Sequence, residues 1–250
     1  MTKEESLLAK RFVDLSRQAQ QKSIVLFSEF LNMNELNIFR QEVSNLYSNY
    51  EISGGYELSE RQMIAFIPDA LCYTWNYPID CLKISPVNKK FAEPLSHRDV
   101  LGSLMNLGIE RSMLGDIVID ESLIFAFCHN KLTEYLCSEL TRIRHTTVMV
   151  AQVFPDKLEI QPKRELAEGI ITSNRLDSVI ACICKTSRSQ ACQWIKEGKI
   201  FLNNRQTLQT VTECKPGEVI SVRSVGRFRF LEPLGETRKG RLKIKYERYI

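Results

Sequence analysis

Leu7, Leu8, Phe12 and Leu15 recur among charged and polar neighbours at helical spacing, so residues 4–20 are expected to form an amphipathic helix. A second helix is expected over residues 34–47, with Leu36, Phe39, Val43 and Leu46 along one side. Ser53-Gly54-Gly55 supplies a turn, and residues 62–67 read as a strand stopped by Pro68-Asp69.

From residue 79 the period changes several times in a definite order. Residues 79–87 read as a strand. Residues 96–106 read as a helix opened by Ser96, with Asp99 three positions on as a variant capping box and Gly108 just beyond its end. Residues 117–119 and 123–128 are expected to pair as a hairpin through Asp120-Glu121. Residues 131–143 follow as a helix with Leu132, Tyr135, Leu136 and Leu140 as its apolar stripe, and residues 146–153 as a closing strand. Strand, helix, strand, strand, helix, strand is the split βαβ plan of ferredoxin-like and RRM-like domains. Phe125 and Phe127 lack the basic and glycine flanks of the usual RRM motif, so core packing is the preferred account of both.

At the C-terminal end, Asn174 is expected to cap a helix with Asp177 at its third position and Leu176, Val179, Ile180 and Ile183 as the buried stripe. A second helix starts at Ser187 and stops at Gly198. Residues 199–205 form a strand running into a polar turn, Lys215-Pro216-Gly217-Glu218 a type II turn, and residues 219–222 a further strand. Arg188 then falls at a helix start, where backbone N–H groups already favour a phosphate.

Charge sharpens this division. The chain has 250 residues and a net charge of +4, but residues 174–250 carry 16 Lys and Arg against 7 Asp and Glu, a net of +9, and residues 1–173 carry 18 against 23, a net of −5. A small, strongly basic module on a mildly acidic body points to a polyanion, with nucleic acid ahead of an anionic membrane. With 44% hydrophobic residues the chain has the means to build real cores, and global disorder is excluded. No apolar run is long enough to span a bilayer and the start is charged and without a secretory signal pattern, so a cytoplasmic location is expected. The eight cysteines are accordingly read as reduced thiols.

Arg175-Leu176-Asp177, Ser187-Arg188, Gln190-Ala191, Ile195-Lys196-Glu197-Gly198, Ile200-Phe201-Leu202-Asn203, Pro216-Gly217-Glu218, Ile220 and Val222-Arg223 together resemble the signature of an S4 (alpha-L) RNA-binding domain over about 50 residues. In such domains the second helix and its flanking loops hold structured RNA. The resemblance therefore implies Arg175, Ser187, Arg188, Gln190, Lys196 and Lys199 as RNA contacts, with Arg223, Arg227 and Arg229 extending the surface. Asp177 has two readings, a carboxylate that orients the basic residues around it or one that faces the RNA.

Pro94-Leu95-Ser96-His97-Arg98-Asp99-Val100-Leu101-Gly102, Met105-Asn106-Leu107-Gly108-Ile109-Glu110-Arg111 and Gly115-Asp116-Ile117 resemble the central domain of the YlmH family. Members combine a helical N-terminus, an RRM-like middle and a C-terminal S4 domain. The resemblance implies a bacterial cytoplasmic ribosome quality-control factor, monomeric, that binds ribosomal RNA of a stalled large subunit together with tRNA. Arg98 and Arg111 are read either as a second RNA contact or as structural ion-pair partners. The expected architecture is α+β multidomain: a helical N-terminal region (1–75), an RRM-like central domain (76–155), a linker (156–172) that joins the domains through a short strand, and an S4-like domain with a basic extension (173–250).

Enzymatic readings are weaker. His97 and Asp99 stand two apart on a helix and do not face each other, and no nucleophile elbow accompanies them. Cys182 and Cys184, with Cys192 and Cys214, lack the repeated knuckle spacing of a zinc site, so neither metal nor cofactor is expected. An rRNA-modifying enzyme is the principal alternative, although the chain contains no Gly-x-Gly-x-x-Gly loop. A ribosome-assembly protein and an adaptor anchored by RNA are the others.

Overall fold

The computed structural model describes residues 2–88, 90, 92–120, 123–154, 164–223, 225–237 and 240–249. The chain is a mixed α+β protein with three antiparallel sheets, and it divides into two compact units, Met1–Pro162 and Lys163–Ile250.

The first unit opens with α1 (Lys3–Lys22), whose Thr2 and Glu5 form a reciprocal capping box. β1 (Leu26–Phe27) follows, then α2 (Met33–Glu42), capped by Asn32 in the same way with Glu35. The second helix ends at residue 42 and passes into a 3₁₀ turn, short of the expected residue 47. β2 (Asn49–Ser53) and β3 (Met63–Ile67) complete a sheet of order β1-β3-β2, so the region expected to be helical is a two-helix layer on three strands. Phe12, Phe39 and Phe66 fill the space between helices and sheet, with Phe39 edge-on to both other rings.

The same unit continues through β4 (Ile79–Pro86), α3 (His97–Asn106), β5 (Leu114–Asp120), β6 (Leu123–His129), α4 (Thr133–Glu139), β7 (Arg142–Ile143) and β8 (Thr146–Val153), in a sheet of order β5-β6-β4-β8-β7. Ser96 caps α3 with Asp99 as the reciprocal carboxylate, and Gly108 has φ +79° just past its end, as the sequence predicts. The expected hairpin turn at 121–122 lies outside the described residues. Strand β6 is buried on both faces because it has two cores to serve. Ile124, Ala126 and Cys128 pack under α3 and α4, whereas Phe125 and Phe127 pack with Phe30 and Met63 of the N-terminal layer. Tyr56 stacks on Phe127 at 4.8 Å between centroids. The two aromatics of β6 are therefore core residues, covered by the N-terminal layer, while Met149 of β8 on the same sheet face stays exposed.

The helix expected over 131–143 is shorter than its pattern. Residues 130–132 are a 3₁₀ turn, α4 stops at Glu139, and Arg142 and Ile143 pair with Thr147 and Thr146. Thr141 and Ile143 are β-branched, and an open sheet edge on β8 outbids the last helical turn.

In the second unit, β9 (Arg164–Ile171) lies in the segment expected to be a linker. The short strand expected there is an eight-residue edge strand, paired along its whole length with the C-terminal strand. The expected linker prolines at 155 and 162 lie outside the described residues. Next come α5 (Leu176–Ile183), α6 (Arg188–Lys196), β10 (Ile200–Leu202), β11 (Arg205–Gln206), β12 (Val219–Val222), β13 (Gly226–Glu236) and β14 (Leu242–Tyr249), in a sheet of order β11-β10-β12-β13-β14-β9. Asn203 and Asn204, at φ +49° and +64°, make the two-residue turn between β10 and β11. Gly217 at φ +87° supplies the positive angle of the expected type II turn. Helices α5 and α6 cover one face of this sheet through Ile180, Ile195, Ile220, Phe228 and Ile244.

Gly169 is where β9 and α5 come closest, since a Cβ added there would collide with the Cys182 Sγ. Gly169→Val is expected to lower the stability of this unit by about 2 kcal/mol through overpacking. Calorimetry of the full chain checks this. An unchanged transition would mean that β9 has room to move off the helix.

Candidate nucleic-acid interface

Helix α5 begins without a side-chain cap of its own. Arg175, and not Asn174, is the N-cap residue, and the first N–H groups are met by the neighbouring loop: Leu176 N donates to Thr212 O at 2.7 Å and Asp177 N to Thr210 O at 3.4 Å. Asn174 is diverted from capping because its carbonyl receives Cys214 N at 2.9 Å.

Asp177 is thereby released for another task. Its carboxylate is 2% exposed and accepts from Arg188 Nε at 2.8 Å, Arg175 Nε and Nη2 at 3.3 and 3.4 Å, and Ser178 N at 3.0 Å. Burial pushes this carboxyl up, but the Arg188 hydrogen bond and the charges of Arg188 and Arg175 outweigh it, and the group titrates below the usual Asp range. The two guanidinium groups stay outward, with side-chain exposures of 48% for Arg188 and 40% for Arg175. A buried anion thus fixes two exposed cations, so their rotamer freedom is spent before any ligand arrives.

Ser187 caps α6 by accepting Gln190 N at 3.1 Å, as the sequence predicts. Arg175, Ser187, Arg188 and Gln190 are therefore gathered around the start of α6. Lys196 lies in the last turn of the same helix, and Lys199 just beyond it is ion-paired with Glu197 at 2.7 Å. These two lysines belong to the far end of α6.

Arg223, Arg227 and Arg229 do not extend the helix-side surface. Phe228 and Phe230 of β13 point into the core under α5 and α6, so strand alternation turns Arg227 and Arg229 to the other face. Arg223 joins them there, its Cζ 5.0 Å from the Phe201 ring centroid, and Arg227 stands 5.2 Å from that of Tyr249. The expected single basic surface is in fact two, on opposite sides of one sheet.

In the first unit, Arg98 is exposed at the second position of α3. Arg111 is turned inward: Nη1 donates to Leu114 O at 2.7 Å and Gly115 O at 3.0 Å, and burial lowers its pKa to about 10. The reading of Arg111 as an outward RNA contact is corrected to a backbone clip. Nearby, Arg61 donates to Leu114 O, Phe30 O and Arg111 O, and Asp116 accepts from Tyr56 Oη, Glu60 N and Arg61 N.

The shortened α4 has a consequence at this site. Arg142, Arg144 and His145 stand exposed on the β7–β8 hairpin beside the start of α3, tied there by Arg144 Nη1 to Asp99 Oδ1 at 3.5 Å and His145 N to Glu93 Oε1 at 2.9 Å. With Arg98 they form a basic patch that the helical reading of 131–143 conceals. Asp99 is engaged with Ser96 and Arg144. Among the described residues, no group of three or more His, Cys, Asp and Glu is placed to hold a metal ion. Among them, too, no helix is long and apolar enough to cross a membrane.

Residues 74–156, from just before β4 to just after β8, match the family model described as a putative RNA-binding domain in YlmH. Over 98% of its length the chain is 24% identical to the ribosome-associated protein quality control protein P2 of Bacillus subtilis (strain 168), of which 96% is covered. The central segment of the chain is similar to the YlmH family. The fold of the chain is also similar to that of the cell division protein ylmH from Streptococcus pneumoniae, with a TM-score of 0.52 and 21% identity, covering 64% of this chain and 97% of the other. The YlmH match contains Arg98, Arg142 and Arg144, so the patch beside α3 falls inside the segment described as RNA-binding.

Proposed function

We propose that this chain is a YlmH-family, ribosome-associated RNA-binding protein without catalytic activity. Its S4-like C-terminal unit grips structured ribosomal RNA at Arg175 and Arg188, and the RRM-like central domain places a second RNA, a tRNA, against Arg98, Arg142 and Arg144. The observation that carries this reading is the buried Asp177 carboxylate holding two exposed guanidinium groups in place, at 2.8 and 3.3 Å. Two fixed guanidinium forks beside a helix N-terminus suit phosphate oxygens, and a purely structural ion pair has no need to leave both cations facing solvent. The strand order β5-β6-β4-β8 supports the RRM-like reading of the middle. The burial of Phe125 and Phe127 directs RNA away from the usual strand aromatics and toward the α3 end.

The curated relative is named for ribosome-associated protein quality control, which supports the same role here. We place the chain in the cytoplasm as a monomer acting on large subunits stalled with peptidyl-tRNA, with no cofactor. Affinity purification of the tagged full chain from cells, followed by cryo-electron microscopy of the particle recovered, tests this. Large subunits carrying peptidyl-tRNA are the expected result. Recovery of small subunits or rRNA precursors alone would overturn it in favour of assembly or modification.

A further inference from the structure

The sheet of the second unit has a face that the helices do not cover. Along one row of cross-strand neighbours on that face run Phe201, Ser221, Arg227, Tyr249 and Arg164. Phe201 and Tyr249 take no part in the core beneath α5 and α6. Instead each ring carries guanidinium groups: Arg223 at 5.0 Å from the Phe201 centroid, and Arg227 and Arg164 at 5.2 and 5.0 Å from that of Tyr249. In the next row Arg229 is the neighbour of Glu247, whose carboxylate is hydrogen-bonded to Arg164 Nη1 at 3.2 Å. One carboxylate among Arg164, Arg223, Arg227 and Arg229 leaves this stretch of the sheet strongly positive.

From this arrangement we infer that the helix-free face of the C-terminal sheet, on which Arg223 is exposed while the Arg164 side chain is 12% exposed, is a second nucleic-acid contact, separate from the Arg175–Arg188 clamp, which takes an unpaired RNA strand. The inference rests on the RNA-binding reading above and assigns a further site to the same unit. Charge complementarity selects a polyanion. The rings select its form. Planar guanidinium groups stacked on aromatic rings present flat, cationic surfaces on which a base can stack, and only an unpaired strand offers base faces to them. A duplex buries those faces and shows phosphates, 2′-hydroxyls and base edges, for which two aromatic supports on strands β10 and β14 are unnecessary. Ser221, small and between Phe201 and Arg227 in the row, leaves the strand a floor to lie on. The same unit would then hold a folded RNA element on its helix side and an extended strand on its sheet side.

The full-length protein is titrated with a fluorescein-labelled twelve-residue oligouridylate, its blunt duplex counterpart, and an rRNA hairpin, by fluorescence anisotropy. The single strand is expected to bind more tightly than the duplex. Phe201→Leu combined with Arg223→Gln is expected to weaken single-strand binding about tenfold, the scale of one lost base stack. Tyr249→Leu is expected to do the same and Tyr249→Phe to retain binding within about twofold, because the ring and not the hydroxyl is the support. Arg175→Gln and Arg188→Gln should weaken the hairpin while leaving the single strand within about twofold, as expected for distant, independent sites. Near-ultraviolet circular dichroism identifies any variant that fails to fold, and the milder Arg227→Gln then replaces it. Equal loss of single-strand binding on changing Arg188, no single-strand binding at all, or no effect of the sheet-face variants would overturn the inference. Retained hairpin binding in any of those cases would leave the clamp on the helix side standing.

Discussion

Asp116→Ala is expected to destabilise the first unit by about 3 kcal/mol, the largest loss for any single side chain outside its apolar cores. The carboxylate gathers three donors from the N-terminal layer, Tyr56 Oη at 2.9 Å, Glu60 N at 2.7 Å and Arg61 N at 3.1 Å, onto strand β5. Removing it leaves those donors without that acceptor and takes one negative charge from beside Arg61 and Arg111. For a unit of this size such a loss lowers the melting temperature by about 10 °C. Burial holds the Asp116 carboxyl above the usual range in spite of the donors. A folded pKa above the unfolded one means that the native state binds the proton more tightly, so this group's contribution to stability falls as pH rises through its folded pKa. Asp116→Asn, which keeps an acceptor and removes that charge, should therefore cost much less than alanine. Thermal melts of the three proteins at neutral pH decide the matter, and an alanine variant within about 2 °C of the parent would show that this cluster does not join the two layers.

The second large effect concerns Asp177, and its sign is diagnostic. Long-range electrostatics alone predicts that removing a negative charge beside an RNA site raises affinity. The geometry predicts the reverse. Asp177→Asn keeps the shape but gives up the charged acceptor that holds Arg188 and Arg175, so affinity for an rRNA hairpin should fall about tenfold, the scale of one weakened charge-assisted contact. Arg188→Gln should fall at least as far and lower the salt slope by about 0.7 to 0.9, one phosphate contact. Arg188→Lys should not restore binding, because an ammonium cannot donate to Asp177 and a phosphate with the same planar fork. Arg205→Gln, on the short strand β11 away from the clamp, should change affinity about twofold or less. A gain in affinity for Asp177→Asn would make this carboxylate a repulsive neighbour of the RNA and would remove the clamp from the account.

The parts of the fold legible in the sequence were those fixed locally. The Ser96/Asp99 and Ser187 caps and the turn at Gly217 all rest on residues a few positions apart, and each stands where its pattern places it. What escaped depended on partners distant in the chain. Residues 164–171 read as a connection with a short strand, and their full length and edge position in the sheet come from pairing with residues 242–249. Arg142 and Ile143 continue a helical stripe in the sequence and are captured by an edge of β8. Asn174 is a better cap than Arg175 by residue type, and loses the position because its carbonyl is engaged by Cys214.

The candidate site divides along the same line. Arg175, Arg188 and Asp177 are close in sequence and in space, and motif spacing finds them together. That Arg223, Arg227 and Arg229 lie on the opposite side of the sheet follows from the burial of Phe228 and Phe230, which a count of basic residues does not contain. Arg111 is basic, beside a turn and bonded inward. Only the carbonyls of Leu114 and Gly115, brought to it by the strand that follows, distinguish it from Arg98.

Ultraviolet cross-linking of the full chain to the ribosomal particles it co-purifies with, followed by mass spectrometry of the RNA-linked peptides, tests the central claim most directly. Cross-links to ribosomal RNA in the peptides containing Arg175 and Arg188, lost in the Asp177→Asn variant while the protein remains folded, are the expected result. Ribosomal cross-links confined to other peptides, or unchanged by Asp177→Asn, would contradict it.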